Sequence, residues 1–423
     1  MVTGPARIGL RTLASLLAGR GAYRMVQLVA TVALLPLWGA ERYATYAAAV
    51  VICSWVVALL VAGPEKTVLK LLPRAPRTGP LILRAAAALL WVLPVPALVA
   101  FAVAAAVTPD GPVAVYLGVA AMCTTTGVLL LLVGLHRAVG VPRHDSRTFF
   151  VLTVVQAALL GLVVLGLGPL GYVACLVGTQ VVLCVLLLVR LGRPSLAIRR
   201  RPGFVRRIWC TVALMGSPEV CMYLCTSVLV ALLAVSAFRD QVGPLVAVDV
   251  VWSAGINLLL YTLRVYTPWA SMRLLGSGGT AGRHAARRIT RWVVAADLAY
   301  LAAVGALLAA TGLLDTARGG NAVLVWAALF AARTPMLVAV IFAGYLVENT
   351  DAASTRITGL AAAAGLATAA VSGLVAVPSA GGVGLLIALA AAEVVQAATL
   401  RARLGGRGRP AHPPVKEDVH VAA

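Results

Sequence analysis

The stretch "LLAGRGAYRMVQLV" sets Arg20 and Arg24 one helical turn apart inside an apolar run. A guanidinium is costly in hydrocarbon, so an arginine held there marks a functional or interfacial position. Its planar fork of donors suits phosphate and carboxylate, which makes anion binding the chemistry to consider. Positions i and i+4 share a helix face, so both side chains would act on one side. Two readings are open. Either the helix starts near Gly21 and both side chains snorkel to headgroups, or they line a cavity and hold an anion. Arg333, in "LFAARTPMLVAV", sits about halfway along its own apolar run, two residues before Pro335. A proline there bends the helix and frees a carbonyl. Snorkelling from mid-depth is hard, which favours a cavity-facing cation over a purely structural ion pair. Glu219, in "MGSPEVCMY", follows Pro218 directly at mid-run. It either pairs with Arg333 or titrates as a proton carrier. Glu393 is a weaker candidate of the same type. Asp249 and Asp297 lie nearer the ends of their runs and are expected at the interface.

The elements that must position these groups are apolar helices. The 423 residues are 61% hydrophobic and 12% charged, with mean hydropathy +0.97. A soluble domain carries about 25% charged residues. The chain therefore reads as an all-α polytopic membrane protein. Each span needs about 20 apolar residues, and twelve are predicted, near 10–38, 43–63, 81–107, 113–135, 148–168, 170–189, 208–236, 243–270, 292–314, 320–346, 357–377 and 381–400. The first is long and followed at once by another span, so it reads as a retained helix rather than a cleaved signal.

The net charge of +21 does not point to nucleic acid, because the basic residues sit in short loops between apolar runs. One set of loops holds Lys66, Lys70, Arg74 and Arg77, then Arg137, Arg143 and Arg147. It continues with the cluster from Arg190 to Arg207 and with Arg273 to Arg291. The alternate set holds only Arg42, Arg239 and Arg318. By the positive-inside rule both termini are cytoplasmic. The Gly/Pro-rich tail, 401–423, is expected to be a disordered cytoplasmic segment.

The seven cysteines all fall in apolar runs, and Cys221 and Cys225 share a helix face as small buried groups. No metal-site spacing, phosphate loop, nucleophile elbow or HExxH is present. No enzyme and no cofactor is expected, and the energy source would be a gradient, of protons or Na+, or another protein. Gln27, Gln156, Gln180 and Thr124–Thr126 could contact sugars or tie helices together.

The basic loop from Arg190 to Arg207 divides the chain into 1–207, a six-helix lobe with its linker, and 208–400, a second one. An even number of spans per lobe implies parallel repeats. "GAYRMVQLVAT" and "GSPEVCMYLCT" resemble each other and each opens the second part of the first helix of its half, while "GPLGYVACLVG" and "PSAGGVGLLIALA" lead into the last helix of each half.

"LWGAERYATYAAAVVICSWVVALLVAGPEKTVLKLLPRA" resembles helix 2 and the following loop of the polysaccharide exporters. "LVENTDAASTRITGLAAAAGLATAAVSGLVAVPSAGGVGLLIALAAAEVV" is similar to their last three helices. These belong to the multidrug/oligosaccharidyl-lipid/polysaccharide (MOP) exporter superfamily. The resemblance implies twelve helices in two lobes, MATE-like, around a cavity that alternates between the membrane faces. It implies a flippase for a polyprenyl-diphosphate-linked oligosaccharide in surface polysaccharide assembly, with glycosyltransferases and a polymerase as partners. A cation-coupled multidrug or natural-product antiporter of the same fold is the alternative. Lipid II flippases of the superfamily carry cavity arginines on helices 1, 2 and 8, which match Arg20, Arg24 and Arg264 here. Helix 2 offers only Arg42 at its outer end, a departure that points away from lipid II itself. An acidic residue on helix 7 is frequent in multidrug members, which associates Glu219 with ion coupling. The Ala, Arg and Gly bias suggests a GC-rich bacterial genome, so the expected location is a bacterial cytoplasmic membrane.

Overall fold

The computed structural model describes residues 10–74, 82–83, 94–108, 111–141, 143–191, 202–274, 322–350 and 352–405, with isolated positions between 284 and 310. The described chain is helical almost throughout. The helices are α1 (Leu10–Trp38), α2 (Ala40–Arg74), α3 (Pro94–Val107), α4 (Pro112–Ala138), α5 (Arg143–Val164), α6 (Pro169–Leu191), α7 (Pro202–Ala234), α8 (Val242–Arg273), α9 (Ala322–Glu348) and α10 (Ala352–Gly405). Among the described residues, nine helices are long and apolar enough to cross a membrane. A helix is what such a run must form in lipid, because it satisfies every backbone polar group within one segment. Large apolar side chains such as Val29, Phe150, Val154, Leu186, Leu360 and Val371 are exposed, as a lipid-facing surface requires.

Two glycines set the connections. Gly39, at φ 79°, is the single residue between α1 and α2, and its carbonyl accepts from the Tyr43 amide. Gly381, at φ 58° and ψ −130°, breaks α10. A side chain at Gly384 would strike the Ala376 carbonyl, and one at Gly365 would meet that of Ala392, so the two arms of α10 lie antiparallel. They are the two final spans expected from the sequence. α1 to α8 match the first eight, although only the second part of the third is described. α9 matches the tenth. Most of the ninth predicted span, with Asp297, lies outside the described residues. So do 192–201 in the basic linker and 406–423 of the tail.

In the N-terminal half, α2 packs on α4, α1 on α5, and α4 on α6. In the C-terminal half, α10 packs on α7 and α9. The halves meet mainly where α2 crosses α7, with further contact of α8 on α2 and α1. The crossing is tight. A Cβ on Gly63 would lie 2.3 Å from the Val212 carbonyl, and Gly216 faces Gly63 across it. Higher along the same seam, Ser227 Oγ donates to the Val51 carbonyl at 2.8 Å. Small residues at such a crossing let two backbones touch.

One expectation is corrected here. Lys66, Lys70 and Arg137 are not loop residues. They lie within α2 and α4 and are largely buried. Their charges have buried partners, so the helices continue past the apolar run.

Candidate functional site

A cavity of about 410 Å³ lies between the halves, a volume suited to a small-molecule or headgroup-sized cargo. Its wall carries four guanidiniums, Arg20, Arg24, Arg264 and Arg333, and three carboxylates, Glu219, Asp249 and Glu393. Neutral hydrogen-bonding groups lie among them, including Gln27, Tyr223, Asn257 and Thr126.

At the end where α1 begins, an alternating chain of charges closes the cavity. Arg20 on α1 donates to both oxygens of Asp145 on α5, Nε at 3.0 Å and Nη2 at 3.2 Å. Asp145 is fully buried and also receives Arg137 Nη1 at 3.5 Å and the Tyr261 hydroxyl at 3.1 Å. Arg137 pairs in turn with Glu65 on α2. Glu65 receives Arg264 of α8 at 3.2 Å, and Arg264 also pairs with Glu219 of α7. The other oxygen of Glu219 takes Lys66 Nζ at 3.0 Å, and Lys66 reaches Glu348 of α9 at 3.1 Å. Four cations and four anions thus alternate across both halves. Each charge has an opposite neighbour, which is the condition under which buried ions are tolerated. Arg20 is further held between rings, 3.8 Å from the Tyr261 centroid and 4.4 Å from that of Phe149.

Deeper in the cavity, Arg333 donates to Glu393 Oε1 from Nε at 3.1 Å and from Nη2 at 2.5 Å. Glu393 Oε2 is buried without a partner among the described residues. The neighbouring Thr334 accepts from Trp252 of α8 and donates to the Phe330 carbonyl at 2.7 Å, which fixes this part of α9 beside α8. Pro218 frees the Leu214 carbonyl, and Ser217 Oγ takes it up at 3.1 Å, so Glu219 follows a proline whose freed acceptor is satisfied.

Two charges are left over. Arg24 Nη1 donates to Gln27 Oε1 at 2.9 Å, and among the described residues no carboxylate pairs with it. Asp249, also on the cavity wall, has no hydrogen bond or ion pair among the described residues.

No protein-family model and no curated sequence matches the chain. Solved structures do align with it along nearly its whole length. A MATE transporter mutant covers 93% of this chain and 94% of its own, with TM-score 0.58 and 13% identity. An outward-facing multidrug resistance MATE family transporter of the MOP superfamily covers 93% and 95%, at 0.54 and 14%. A MOP superfamily transporter from Pyrococcus furiosus Vc1, whose reversed binding-pocket polarity is held to suggest a different function, covers 93% and 95%, at 0.51 and 14%. This chain has the MATE fold.

Within this MATE fold, all six residues singled out in the sequence, Arg20, Arg24, Arg264, Arg333, Glu219 and Glu393, stand on the cavity wall. The pairings differ from those expected. Glu219 meets Arg264 and Lys66 rather than Arg333, whose partner is Glu393. Asp249 is not interfacial but faces the cavity. Gln180 bonds Thr125 and Thr126, and Gln156 bonds Tyr172, so these amides tie α4, α5 and α6 together. The cysteines are free thiols. Sequence reasoning missed Glu65, Asp145 and Glu348 as site residues. The available signal was a carboxylate in segments otherwise stripped of acids, as in "VAGPEKTVLK".

Proposed function

We propose that the protein is an alternating-access flippase for a polyprenyl-diphosphate-linked oligosaccharide, with Arg24 as the anchor for the diphosphate. The observation that carries this reading is a cavity guanidinium that no carboxylate neutralises among the described residues, while Arg20 and Arg333 are each held by one and Arg264 by two. A bidentate fork in a low-dielectric site favours phosphate over less charged groups. The amide and hydroxyl groups beside it suit a glycan, and the lipid chain would remain in the bilayer between α1 and α8. Such a protein would work beside glycosyltransferases and a polymerase in a bacterial cytoplasmic membrane, with both termini inside. No covalent chemistry is required.

Asp249 favours a second reading, a cation-coupled multidrug or natural-product antiporter, since a lone cavity carboxylate suits a cationic cargo. One experiment separates them. In proteoliposomes, translocation of a fluorescent polyprenyl-diphosphate oligosaccharide should be lost in Arg24→Ala and kept in Asp249→Asn. Ethidium transport that needs Asp249 and not Arg24 would replace the flippase by the antiporter.

A further inference from the structure

A cluster of cations that cargo binding does not use lies outside the cavity, where the ends of α4, α5 and α6 meet. His136, in the last turn of α4, is buried, and its Nε2 donates to the Leu187 carbonyl of α6 at 3.0 Å. His144, in the first turn of α5, lies against it, with ring centroids 4.7 Å apart. The two imidazoles thus pin three helix ends together. Arg147 stands one turn beyond His144 on α5, and Arg190 one turn beyond Leu187 on α6. Both arginines are exposed, and both are near enough to act electrostatically on His144. Arg143, the first residue of α5, is exposed as well. Among the described residues, none of these three arginines has an ion pair. The one acid in this turn of α5, Asp145, is buried and already held by Arg20 and Arg137.

Below the cations both helices present bare apolar surface. On α5, Val151, Val154, Ala158 and Leu162 follow Arg147 at steps of three or four residues, and all are exposed. On α6, Leu186 and Val182 precede Arg190 at steps of four, and both are exposed. Residues so spaced share one helix face. The stripe from Arg147 to Leu162 is about 22 Å long at 1.5 Å per residue. That exceeds the depth of one leaflet, about half of a 30 Å hydrocarbon core. Two helices in contact, each with a guanidinium at the head of an apolar stripe, match the profile of a phospholipid. A soluble anion would use the cations and leave the stripes idle. A lone snorkelling arginine meets whatever headgroup passes. Here the imidazole brace fixes the spacing of two such arginines, and no carboxylate competes for them among the described residues.

We propose that the groove between α5 and α6 at this end is a binding site for an anionic phospholipid, with Arg147 and Arg190 holding its phosphate and the acyl chains laid along the two stripes. His144 offers a further ring nitrogen to the headgroup. The site adjoins the chain of buried charges, since Arg137 directly follows His136 and Asp145 directly follows His144. A lipid seated here braces the helix ends that carry two members of that chain. The proposal rests neither on the identity of the cargo nor on alternating access.

The test uses the full-length protein, purified in detergent, stripped of lipid and followed by native mass spectrometry as lipid is added back. The probes are tetraoleoyl cardiolipin, dioleoyl phosphatidylcholine and inorganic pyrophosphate. The first cardiolipin should be held at least tenfold more tightly than phosphatidylcholine. Arg147→Gln combined with Arg190→Gln should weaken that first cardiolipin tenfold or more. Both positions are exposed, so the variant should fold. Arg206→Gln combined with Arg207→Gln removes as much exposed charge from α7 and should leave the first cardiolipin unaffected. Pyrophosphate should not displace it. Full affinity in the Arg147 and Arg190 variant overturns the proposal. Equal weakening by the two pairs of substitutions overturns it too, because the attraction would then belong to net charge and not to a site. Displacement by pyrophosphate would make this a site for soluble anions, which also sinks the proposal.

Discussion

Arg20 and Arg24 stand one turn apart on α1 and have opposite electrostatic fates. The first is clamped on Asp145 at 3.0 and 3.2 Å and covered by the Tyr261 ring, while among the described residues the second bonds only the Gln27 amide. On the proposed function, the pair would divide the labour of closing the cavity and of meeting what enters it.

That division is open to a direct comparison. Arg24→Ala should leave the melting temperature in detergent nearly unchanged and lower cargo translocation tenfold or more. Arg24→Lys should fall between, because it keeps the charge and loses the fork. Arg20→Ala should do the reverse, with melting lowered and transport less affected. Breaking a buried pair costs about 3–5 kcal/mol, an upper bound here because Arg137 and Tyr261 still reach Asp145. Equal melting temperatures for the two alanine variants would refute the assignment.

Glu65 is the acid through which the N-terminal half holds Arg264. Glu65→Gln should weaken closure at this end and shift the population toward separation. Spin labels at Arg147 and Arg206, both exposed and on opposite halves, would report a longer distance in the variant. An unchanged distance distribution would mean that Glu65 does not control the junction.

The pair of Arg333 and Glu393 can be separated into structural and functional parts. Arg333→Ala alone strands a buried carboxylate and should cost about 3–5 kcal/mol. Arg333→Met combined with Glu393→Leu replaces both by apolar groups and should recover stability to within about 1 kcal/mol. If transport recovers with it, the pair is a structural tie between α9 and α10. If transport stays lost, the guanidinium contacts cargo.

Topology is tested by reporter fusions. The charge asymmetry predicts that fusions at Pro112 and Gly320 report the outside, and those at Arg74 and Arg200 the cytoplasm. A reversed signal at any of these sites would break the helix count.

The spans were legible because hydrophobicity in lipid is a local property, readable from about 20 consecutive residues. The cavity arginines were legible for the same reason, since a guanidinium in an apolar run has few structural uses. Their partners were not. Lys66 and Glu348 are 282 residues apart in sequence, and a pairing over that distance leaves no local pattern. The same blindness placed Lys66 and Arg137 in loops, where a charge count puts them. Asp249 was misplaced because its seven-residue distance from the start of α8 reads as shallow, whereas the cavity extends to that depth.

The contact at Gly63 has a mechanical meaning. Backbone against backbone leaves no side chain to yield, so in a rocking of the halves the point where α2 crosses α7 would act as a fulcrum. From Gly63 the arm to Lys66 is about 5 Å, and the arm to Tyr43 at the far end of α2 is about 30 Å, at 1.5 Å per residue. One rotation is thus geared roughly six to one. A tilt that draws the lysine ammonium aside by a single ångström would carry the opposite rim about 6 Å the other way. A substitution that moves the fulcrum, even Gly63→Ala, should change that ratio before it changes any ion pair.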